Sequence, residues 1–410
     1  MGLGSGVRAD EPLATVGGGV ASDISVRSWS VASMASRVRP SRWLMRDVAL
    51  PFVVTRVLLA MTGLVAAATL PLSPYVPRDW TVPGLSSLVD AFSRWDALHY
   101  VHIAADGYAA NDISNAAFFP LYPILVRASG MVIGRSDLPT LYLLAVLVAN
   151  VALFVAAALL VMLTRLDFDG ATASRASWYL LVFPTSLFLS AGYAESLFLA
   201  LSVGAMLAAR RRHWALAGVL GAMGALCRPF GFLLLLPLAV EAWEQRAEPH
   251  PWRKAVAVGV VPLGLVAYMG YLGLQYGNML AFLHAETQWD RKLMPPWDTF
   301  IRFFQAPLTI NSGLHSLVDL GFTIAVIAMA VLAWKMLRRS YALFLTAVLL
   351  VPLSSGALLS MPRFAVAWFP IFLVLAVAGR SAAFDRIFLI VGASLSGILM
   401  ALYAQWYWVS

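Results

Sequence analysis

Charged side chains are scarce in this chain of 410 residues, since Asp, Glu, Lys and Arg make up only 12% of it and hydrophobic residues make up 60%. Soluble domains carry about 25% charged residues, so the composition excludes an ordinary soluble globule and indicates a polytopic membrane protein. Cysteine is almost absent as well, because Cys227 stands alone. An intrachain disulfide is therefore impossible, and we expect Cys227 to be a buried structural thiol.

Positive charge exceeds negative charge, with a net charge of +8 at pH 7. Such a surplus can indicate nucleic-acid binding. The Lys and Arg residues, however, lie in short clusters between apolar segments, which is the pattern of cytoplasmic loops under the positive-inside rule. We therefore expect the lipid bilayer to be a partner and nucleic acid not to be one.

Two regions differ in composition. Residues 1–42 are rich in Gly, Ser, Ala and Arg and lack an apolar period, which predicts a disordered cytoplasmic tail and not a cleaved signal peptide. Residues 43–410 are predicted to form one all-α membrane domain of about eleven spans. Basic residues precede the first span, at 48–70, and place the N-terminus in the cytoplasm by the positive-inside rule. We expect a multi-pass protein of the plasma membrane.

The apolar segment 118–134 decides the remaining topology. If it crosses the membrane, the three arginines at 210–212 fall outside; if it lies along the outer interface as an amphipathic helix, every basic cluster falls inside. We adopt the second alternative, which creates two long extracytoplasmic loops at 72–137 and 277–315. Short spans are expected to be buried in the bundle or broken by proline. The later spans are predicted at 138–163, 174–191, 195–209, 214–228, 229–243, 254–276, 316–336, 340–360, 364–379 and 386–408.

One polar stretch, R-W-D-A-L-H-Y-V-H-I-A-A-D-G-Y at 94–108, lies in the first of these loops and is the predicted active site. Asp96 and His99 are three residues apart and would share a helix face, which suits a general base or half of a metal site. A solvated polar helix face is the alternative. His102 and Asp106 make a divalent metal conceivable, but no HExxH motif or cysteine pair supports one, so no metal or other cofactor is expected.

Three further charged residues lie at the predicted outer ends of apolar segments. Glu195 would cost several kcal/mol there if unpaired, which favours a substrate-binding role over a plain loop carboxylate. Arg228 and Arg363 could together bind phosphate, because a planar guanidinium donates two parallel hydrogen bonds to phosphate oxygens. Snorkelling of each arginine to the interface is the alternative.

Aromatic residues near the outer surface have a simpler explanation. His284 and Trp289 lie in the second loop and are ranked lower as substrate-binding candidates, because an interfacial aromatic belt also accounts for Trp289. Tyr403, Trp406, Tyr407 and Trp408 are expected to be belt residues and nothing more.

Five motifs in order carry a family resemblance. W-D-A-L-H-Y with I-A-A-D-G-Y, F-F-P-L-Y-P, F-P-T-S-L-F-L-S-A-G-Y-A-E-S-L-F, C-R-P-F-G and P-R-F, over about 90–370, resemble the PIG-V family of GPI mannosyltransferase 2 type and its prokaryotic relatives. More distantly the chain is similar to GT-C glycosyltransferases. The residues that match the motifs are Trp95, Asp96, His99, Tyr122, Pro184, Ser186, Tyr193, Glu195, Arg228 and Gly231.

The resemblance implies a GT-C-like helix bundle with extracytoplasmic juxtamembrane helices. It also implies transfer of mannose from a polyprenyl-phosphate donor to an acceptor hydroxyl of a glycolipid, glycan or protein. Trp95, Asp96 and His99 would be catalytic, and Tyr122 and Tyr193 would bind substrate. The eukaryotic pattern Arg-Ser-Asn-Gly is replaced here by R-P-F-G at 228–231, which weakens the inference of a GPI precursor as acceptor.

The chemistry agrees with that implication. A direct displacement needs a carboxylate to take the acceptor proton and positive charge for the leaving phosphate. Asp96 would be the base and Arg228 with Arg363 the clamp, and a single carboxylate implies inversion at the anomeric carbon. A transporter or lipid flippase is the rival, but it would place charges near the bilayer midplane within inverted repeats.

Overall fold

Every regular element of the described chain is helical in the computed structural model, which describes residues 1, 40–74, 76, 82, 84–109, 112–305, 307–310 and 316–409. Most of the tail predicted at 1–42 lies outside the described residues. The helices, in chain order, are α1 (Arg42–Thr69), α2 (Ser87–Ala91), α3 (Asp96–Asp106), α4 (Leu121–Ile133), α5 (Leu138–Thr164), α6 (Gly170–Val182), α7 (Glu195–Arg210), α8 (Trp214–Cys227), α9 (Leu235–Glu244), α10 (Pro251–Tyr276), α11 (Ala281–Ala285), α12 (Pro296–Phe303), α13 (Leu317–Met336), α14 (Arg339–Leu353), α15 (Met361–Ala365), α16 (Pro370–Ala378) and α17 (Ala382–Ala404).

Five of these helices are long and apolar enough to cross a membrane: α1, α5, α10, α13 and α17. The expected all-α polytopic membrane fold is therefore confirmed, whereas the expected count of eleven spans is not. The helices α4, α8 and α14 are apolar but shorter. A helix of 15 residues extends only about 22 Å, less than the ~30 Å of the hydrocarbon core.

Three predicted spans are wrong in their extent. The span 174–191 ends as a helix at Val182, because Pro184 disfavours helical backbone at Phe183, whose ψ is 140°. The span 340–360 ends at Leu353 and continues as a loop. The span 364–379 is divided into α15 and α16. Each interruption lies at the end of the bundle that holds the candidate site residues.

Two of the short segments lie in the interior of the bundle. Every residue of α7 from Glu195 to Ala209 is buried, and so are the residues of α16 from Pro370 to Ala376. Small side chains permit this packing. On α10, a Cβ at Gly264 would lie 2.0 Å from the carbonyl oxygen of Ala222 on α8, so only glycine fits that contact.

Ion pairs join the loops at one end of the bundle, here named the basic end. Asp47 before the apolar part of α1 pairs with Arg165 after α5, with an N–O distance of 2.7 Å. Helix α1 therefore runs from the basic end to the opposite end of the bundle, and α5 returns to the basic end. The 13 residues of α4 span about 20 Å. They lie between α1 and α5 in the chain, at the opposite end of the bundle, which agrees with an interfacial position for 118–134. The other pairs at the basic end include Arg210–Asp167, Arg212–Glu248, Arg338–Glu241 and Arg380–Asp169.

The opposite end, here named the site end, holds the two long loops and the interrupted helices. The helices α2, α3 and α4 lie there between α1 and α5 in the chain. Arg127 of α4 donates hydrogen bonds to the carbonyl oxygens of Ala104 and Ala105, at 3.2 and 3.1 Å. These carbonyls end α3, so the arginine satisfies acceptors that the helix itself leaves open. The contact fixes α3 against α4.

Candidate active site

The R-W-D motif forms the turn that begins α3. Trp95 has a φ of 53°, in the left-handed region that non-glycine residues rarely adopt, and Asp96 is the first residue of α3. The hydroxyl of Tyr193 donates to the carbonyl oxygen of Arg94 at 3.0 Å and accepts from the amide of Asp96 at 3.3 Å. A strained turn of this kind persists when its surroundings fix it, and here a tyrosine of the Y-A-E motif fixes the turn that carries Asp96.

Four charged side chains alternate in sign at this position. Arg363 Nη1 lies 2.5 Å from Asp96 Oδ2. Glu195 Oε1 lies 2.5 Å from Arg228 Nη1 and 3.6 Å from Arg363 Nε. We name these residues, in the order Asp96, Arg363, Glu195 and Arg228, the charge chain. Their formal charges cancel, which offsets the cost of burying each one.

Burial differs along the charge chain. The side chain of Glu195 is 1% exposed, those of Arg228 and Arg363 are 8% and 9% exposed, and that of Asp96 is 21% exposed. Glu195 is therefore behind the arginines, and Asp96 is the carboxylate that solvent can reach. Among the described residues, only Oδ2 of Asp96 accepts a hydrogen bond, so Oδ1 is available to a ligand.

Arg56 of α1 holds the segment that leads to Glu195, and sequence reasoning missed it. Its guanidinium donates to the carbonyl oxygens of Leu181 and Ser186, at 2.6 and 3.0 Å, and to the hydroxyl of Ser190 at 3.0 Å. Arg56 is 9% exposed and pairs with no carboxylate in the described part of the chain. An arginine inside an apolar span was the available signal, because such a charge is costly unless the structure uses it.

Arg228 lies at the break between α8 and α9, and this break determines its position. It has an extended backbone, with φ −150° and ψ 150°, and Pro229 then begins a 3₁₀ turn that ends at Leu234. A Cβ at Gly231 would lie 2.0 Å from the carbonyl oxygen of Gly224. The glycine of C-R-P-F-G is thus required for the close return of the chain against α8.

Arg363 lies on the short helix α15, whose first amide is bound by a second residue that sequence reasoning missed. Asp319 Oδ1 accepts a hydrogen bond from the amide of Met361 at 3.2 Å. Asp319 is 1% exposed in the first turn of the apolar helix α13. A carboxylate in that setting was again the available signal, and its contact links α13 to the segment that carries Arg363.

A cavity of about 450 Å³ opens beside the charge chain. Its charged lining comprises four basic and two acidic side chains, namely Arg228, Arg291, Lys292, Arg363, Asp96 and Glu286. Its apolar lining includes Phe230, Phe282, Leu283 and Val351. Tyr100 of α3 also faces it, and burial raises the pKa of this phenol well above its ordinary value. The cavity can therefore take an anionic group together with an apolar chain.

The predicted site residues divide into those that line the cavity and those that do not. Asp96, Arg228, Arg363 and Trp289 line it. Trp95 does not, and its ring packs against other tryptophans.

Four residues predicted to bind substrate do not line the cavity. Glu195, Tyr193 and Tyr122 are 1%, 1% and 0% exposed, and none lines the cavity. Glu195 and Tyr193 support the lining residues from behind, and the hydroxyl of Tyr122 donates to the carbonyl oxygen of Ala145 in the core. His284 is exposed but is not among the lining residues.

His99 lies one turn after Asp96 and has partners of its own. Its Nδ1 lies 3.0 Å from Asn115 Oδ1, and its ring stacks on Phe118 with a centroid distance of 4.3 Å. His99 is not a lining residue of the cavity. No cluster of three or more His, Cys, Asp or Glu side chains suited to a metal ion occurs among the described residues.

The segment after α17 contradicts its assignment as a simple interfacial belt. Trp406 and Trp408 pack edge-on against Trp95, with ring centroid distances of 5.6 and 5.1 Å. The Arg94 side chain donates to the carbonyl oxygen of Ala404 at 3.0 and 3.1 Å. Trp408 also lines the cavity. Composition alone could not distinguish these tryptophans from belt residues, because both kinds lie at a helix end near the membrane surface.

Comparison with known proteins gives the family that the motifs indicated. Residues 81–235 match the family model described as Mannosyltransferase (PIG-V). The chain is 35% identical over 177 residues to GPI alpha-1,6-mannosyltransferase 2 of Mus musculus, which is 40% of this chain and 34% of that protein. It is 31% identical over 177 residues to GPI mannosyltransferase 2 of Drosophila melanogaster, covering 40% and 39%. The resemblance to the PIG-V family is confirmed, and the chain spans about a third of the length of these curated relatives.

Solved structures with partial similarity have lower sequence identity. The oligosaccharyltransferase of Archaeoglobus fulgidus, in complex with Zn and sulfate, matches 86% of this chain and 53% of its own, with 15% identity and a TM-score of 0.43. ArnT from Cupriavidus metallidurans, bound to undecaprenyl phosphate, matches 85% of this chain and 64% of its own, with 14% identity and a TM-score of 0.49.

Proposed function

We propose that this protein is a membrane glycosyltransferase that transfers mannose from a polyprenyl-phosphate donor to an acceptor hydroxyl at the extracytoplasmic surface. One observation carries the proposal: an accessible carboxylate, Asp96, lies at the wall of a mainly basic cavity and is bound to Arg363, one of three arginines that line the cavity. Asp96 itself and Tyr193, which fixes its turn, belong to the part of the chain that matches mannosyltransferases.

Asp96 is the general base of this proposal. Arg363 binds its Oδ2, which fixes the carboxylate, while Oδ1 is left to accept the proton of the acceptor hydroxyl. The acceptor oxygen forms its bond to the anomeric carbon as the bond from that carbon to the donor phosphate breaks. Glu195 is too buried to act as a second carboxylate or as a nucleophile, so the displacement is direct and inverts the anomeric carbon.

Arg228 and Arg363 bind the leaving phosphate. Each guanidinium has an Nη2 without a hydrogen-bond partner among the described residues, and both arginines line the cavity. Arg291 and Lys292 add positive charge to the same cavity. Preorganised donors of this kind stabilise negative charge that develops in the transition state, so the reaction needs no metal ion.

The apolar lining accommodates the start of the isoprenoid chain. Val351 is 40% exposed near the end of the apolar helix α14, and it shares the cavity with Phe230 and Phe282. A lipid in the bilayer can thus place its phosphate beside the arginines while its chain stays in apolar surroundings. This site end faces the extracytoplasm, because the opposite end collects the basic loops that the positive-inside rule assigns to the cytoplasm.

The test is transfer by the purified protein in liposomes supplied with polyprenyl-phosphate mannose. We expect release of polyprenyl phosphate, inverted configuration at the transferred mannose, and the same rate with and without a chelator. Retained configuration would contradict the single-base mechanism, and loss of activity with chelator would contradict the metal-free one. Movement of the intact donor between leaflets without its consumption would instead indicate a flippase.

A further inference from the structure

A second cavity lies on the side of the bundle, apart from the candidate active site. It is a groove of about 740 Å³ between α5 and α8, with α7 as its floor, and Leu125 and Ser129 of α4 line it towards the site end. The groove shares no lining residue with the cavity beside the charge chain. It is therefore a separate place where a ligand can bind.

Small residues of α7 make the groove deep. Ala200, Gly204 and Ala208 line it and are four positions apart, so they lie on one face of the helix. A Cβ at Gly204 would lie 3.5 Å from Leu159 Cδ1 on α5 and 3.2 Å from Leu220 Cδ1 on α8. Larger side chains of the two neighbouring helices thus form walls above a floor of small side chains.

The walls of the groove are apolar and open to the bilayer. Val151 and Val155 of α5 are 65% and 43% exposed, and Leu216 of α8 is 51% exposed. The lining residues of α5 run from Leu144 to Met162, a rise of about 27 Å along the helix, close to the ~30 Å thickness of the hydrocarbon core. The groove therefore follows the length of a membrane span, and most of its occupant has to be apolar.

Charge occurs at one end of the groove only. Among its described lining residues, Arg211 and His213 are the two that can carry charge, and both lie at the basic end. Arg210 and Arg212, on either side in the chain, are paired with carboxylates. Arg211 has no ion pair or side-chain hydrogen bond among the described residues, so its guanidinium is available to an anion at the end of the groove.

Helix α8 begins at the same end and adds to the attraction for an anion. Its first residue is Trp214, and the preceding His213 makes no side-chain capping hydrogen bond. The first amides of an α-helix have no partner within the helix, and such a helix start favours negative charge. The end of the groove thus offers a guanidinium, an imidazole and helix amides to one anionic group.

We propose that this groove binds one anionic phospholipid from the leaflet at the basic end, with its phosphate at Arg211 and an acyl chain along the small residues of α7. Basic pockets between membrane helices recognise anionic head groups in this way. A neighbouring apolar helix would cover the walls but would supply no anion for Arg211, so the charge favours a lipid. The inference does not depend on the proposed transferase function, because the groove and the cavity share no residue.

The test is native mass spectrometry of the purified protein with equal amounts of phosphatidylglycerol and phosphatidylcholine that carry the same acyl chains. We expect the wild type to retain one phosphatidylglycerol in preference to phosphatidylcholine. Arg211→Gln should lower the retained phosphatidylglycerol about fivefold, the effect of one basic residue at an anionic membrane surface. Arg339→Gln is the matched control and should retain as much as the wild type, because Arg339 is an exposed basic residue at the start of α14 that does not line the groove.

A second pair of variants tests the acyl-chain part of the groove. Val155 and Leu143 are both on α5 and are 43% and 44% exposed, but only Val155 lines the groove. Val155→Trp should fill the groove and displace the phosphatidylglycerol, whereas Leu143→Trp should retain it. Both positions face lipid, so neither replacement disturbs the packed interior.

Four outcomes would overturn the proposal. They are equal retention of the two lipids by the wild type, equal retention by Arg211→Gln and Arg339→Gln, full retention by Val155→Trp, or a wild-type dimer that dissociates in Val155→Trp. The last would assign the groove to a second copy of the chain. If Arg211→Gln fails to fold, the comparison of Val155→Trp with Leu143→Trp decides.

Discussion

Buried networks of arginine and carboxylate lie at both ends of the bundle, and they differ in how completely their donors are used. At the basic end, Arg210 binds both oxygens of Asp167 at 2.8 Å and donates to the hydroxyl of Tyr341 at 2.6 Å. At the site end, Arg228 and Arg363 each have an Nη2 without a hydrogen-bond partner among the described residues, beside a cavity. The same residue types thus form a hydrogen-bonded ion pair at one end of the bundle and the candidate site at the other.

Buried charge in a membrane protein can be interpreted by asking which of its hydrogen-bond donors are occupied. A buried charge costs several kcal/mol unless it is paired, so its presence indicates a role but not which role. Hydrogen bonds from both terminal nitrogens to protein oxygens, as at Arg210, indicate a structural role. Donors left open towards a cavity indicate a ligand. Four experiments test whether the two ends differ in this way.

Replacement of Arg228 should reduce activity more than replacement of Arg56 or Lys292. Arg228→Ala removes the partner of Glu195, which is 1% exposed, and an uncompensated buried charge destabilises by about 3–5 kcal/mol. Arg228→Lys keeps the charge but loses the planar fork. A lost charge-assisted hydrogen bond is worth about 1.5–3 kcal/mol, so we expect a fall of roughly 10- to 100-fold in kcat/KM for the donor. Wild-type turnover in Arg228→Lys would reduce this residue to a structural one.

Arg56 tests whether a residue far from the cavity positions the site. Arg56→Met removes the donors that hold Leu181, Ser186 and Ser190, so the segment that carries Tyr193 and Glu195 should shift. We expect kcat to fall roughly tenfold while KM for the donor stays near wild type, with partial recovery in Arg56→Lys. A variant with lower thermal stability but normal kcat would make Arg56 a structural residue of the same kind as Arg210.

Lys292 should show the smallest effect. It is an exposed point charge at the cavity, so Lys292→Ala should raise KM for the donor only a few-fold, and added salt should reduce the difference. Lys335, a basic residue of α13 at the basic end, is the matched control, and its replacement by alanine should leave KM unchanged. Equal effects of the two replacements would mean that general charge, and not the cavity, attracts the donor.

Much of the site could be predicted because charge is conspicuous in an apolar chain. Asp96, Glu195, Arg228 and Arg363 were found in this way and lie together in the charge chain. Arg56 and Asp319 give the same signal and were overlooked because they lie within spans that otherwise read as uniformly apolar. The cost of burial could have identified them.

Other features were beyond sequence reasoning for physical reasons. The role of an aromatic residue depends on what its ring and hydroxyl meet: Tyr122 and Tyr193 proved to be buried supports, and Trp408 a cavity residue. These contacts join residues up to about 300 positions apart, so no local pattern encodes them. The same holds for span lengths, since segments buried in protein escape the length that a lipid-facing helix requires.

The comparison of the two ends is tested most directly by one conservative replacement at each: Asp96→Asn and Asp167→Asn, measured side by side for mannosyl transfer and thermal unfolding. Asp96→Asn cannot take a proton, so transfer should fall at least 10²-fold, within the range of about 10² to 10⁴ for general-base assistance, while the protein still folds and binds donor. Asp167→Asn weakens the pair with Arg210, so it should lower the unfolding temperature and leave the activity of the folded protein unchanged. Near-normal transfer by Asp96→Asn, or a comparable catalytic loss in folded Asp167→Asn, would contradict the account.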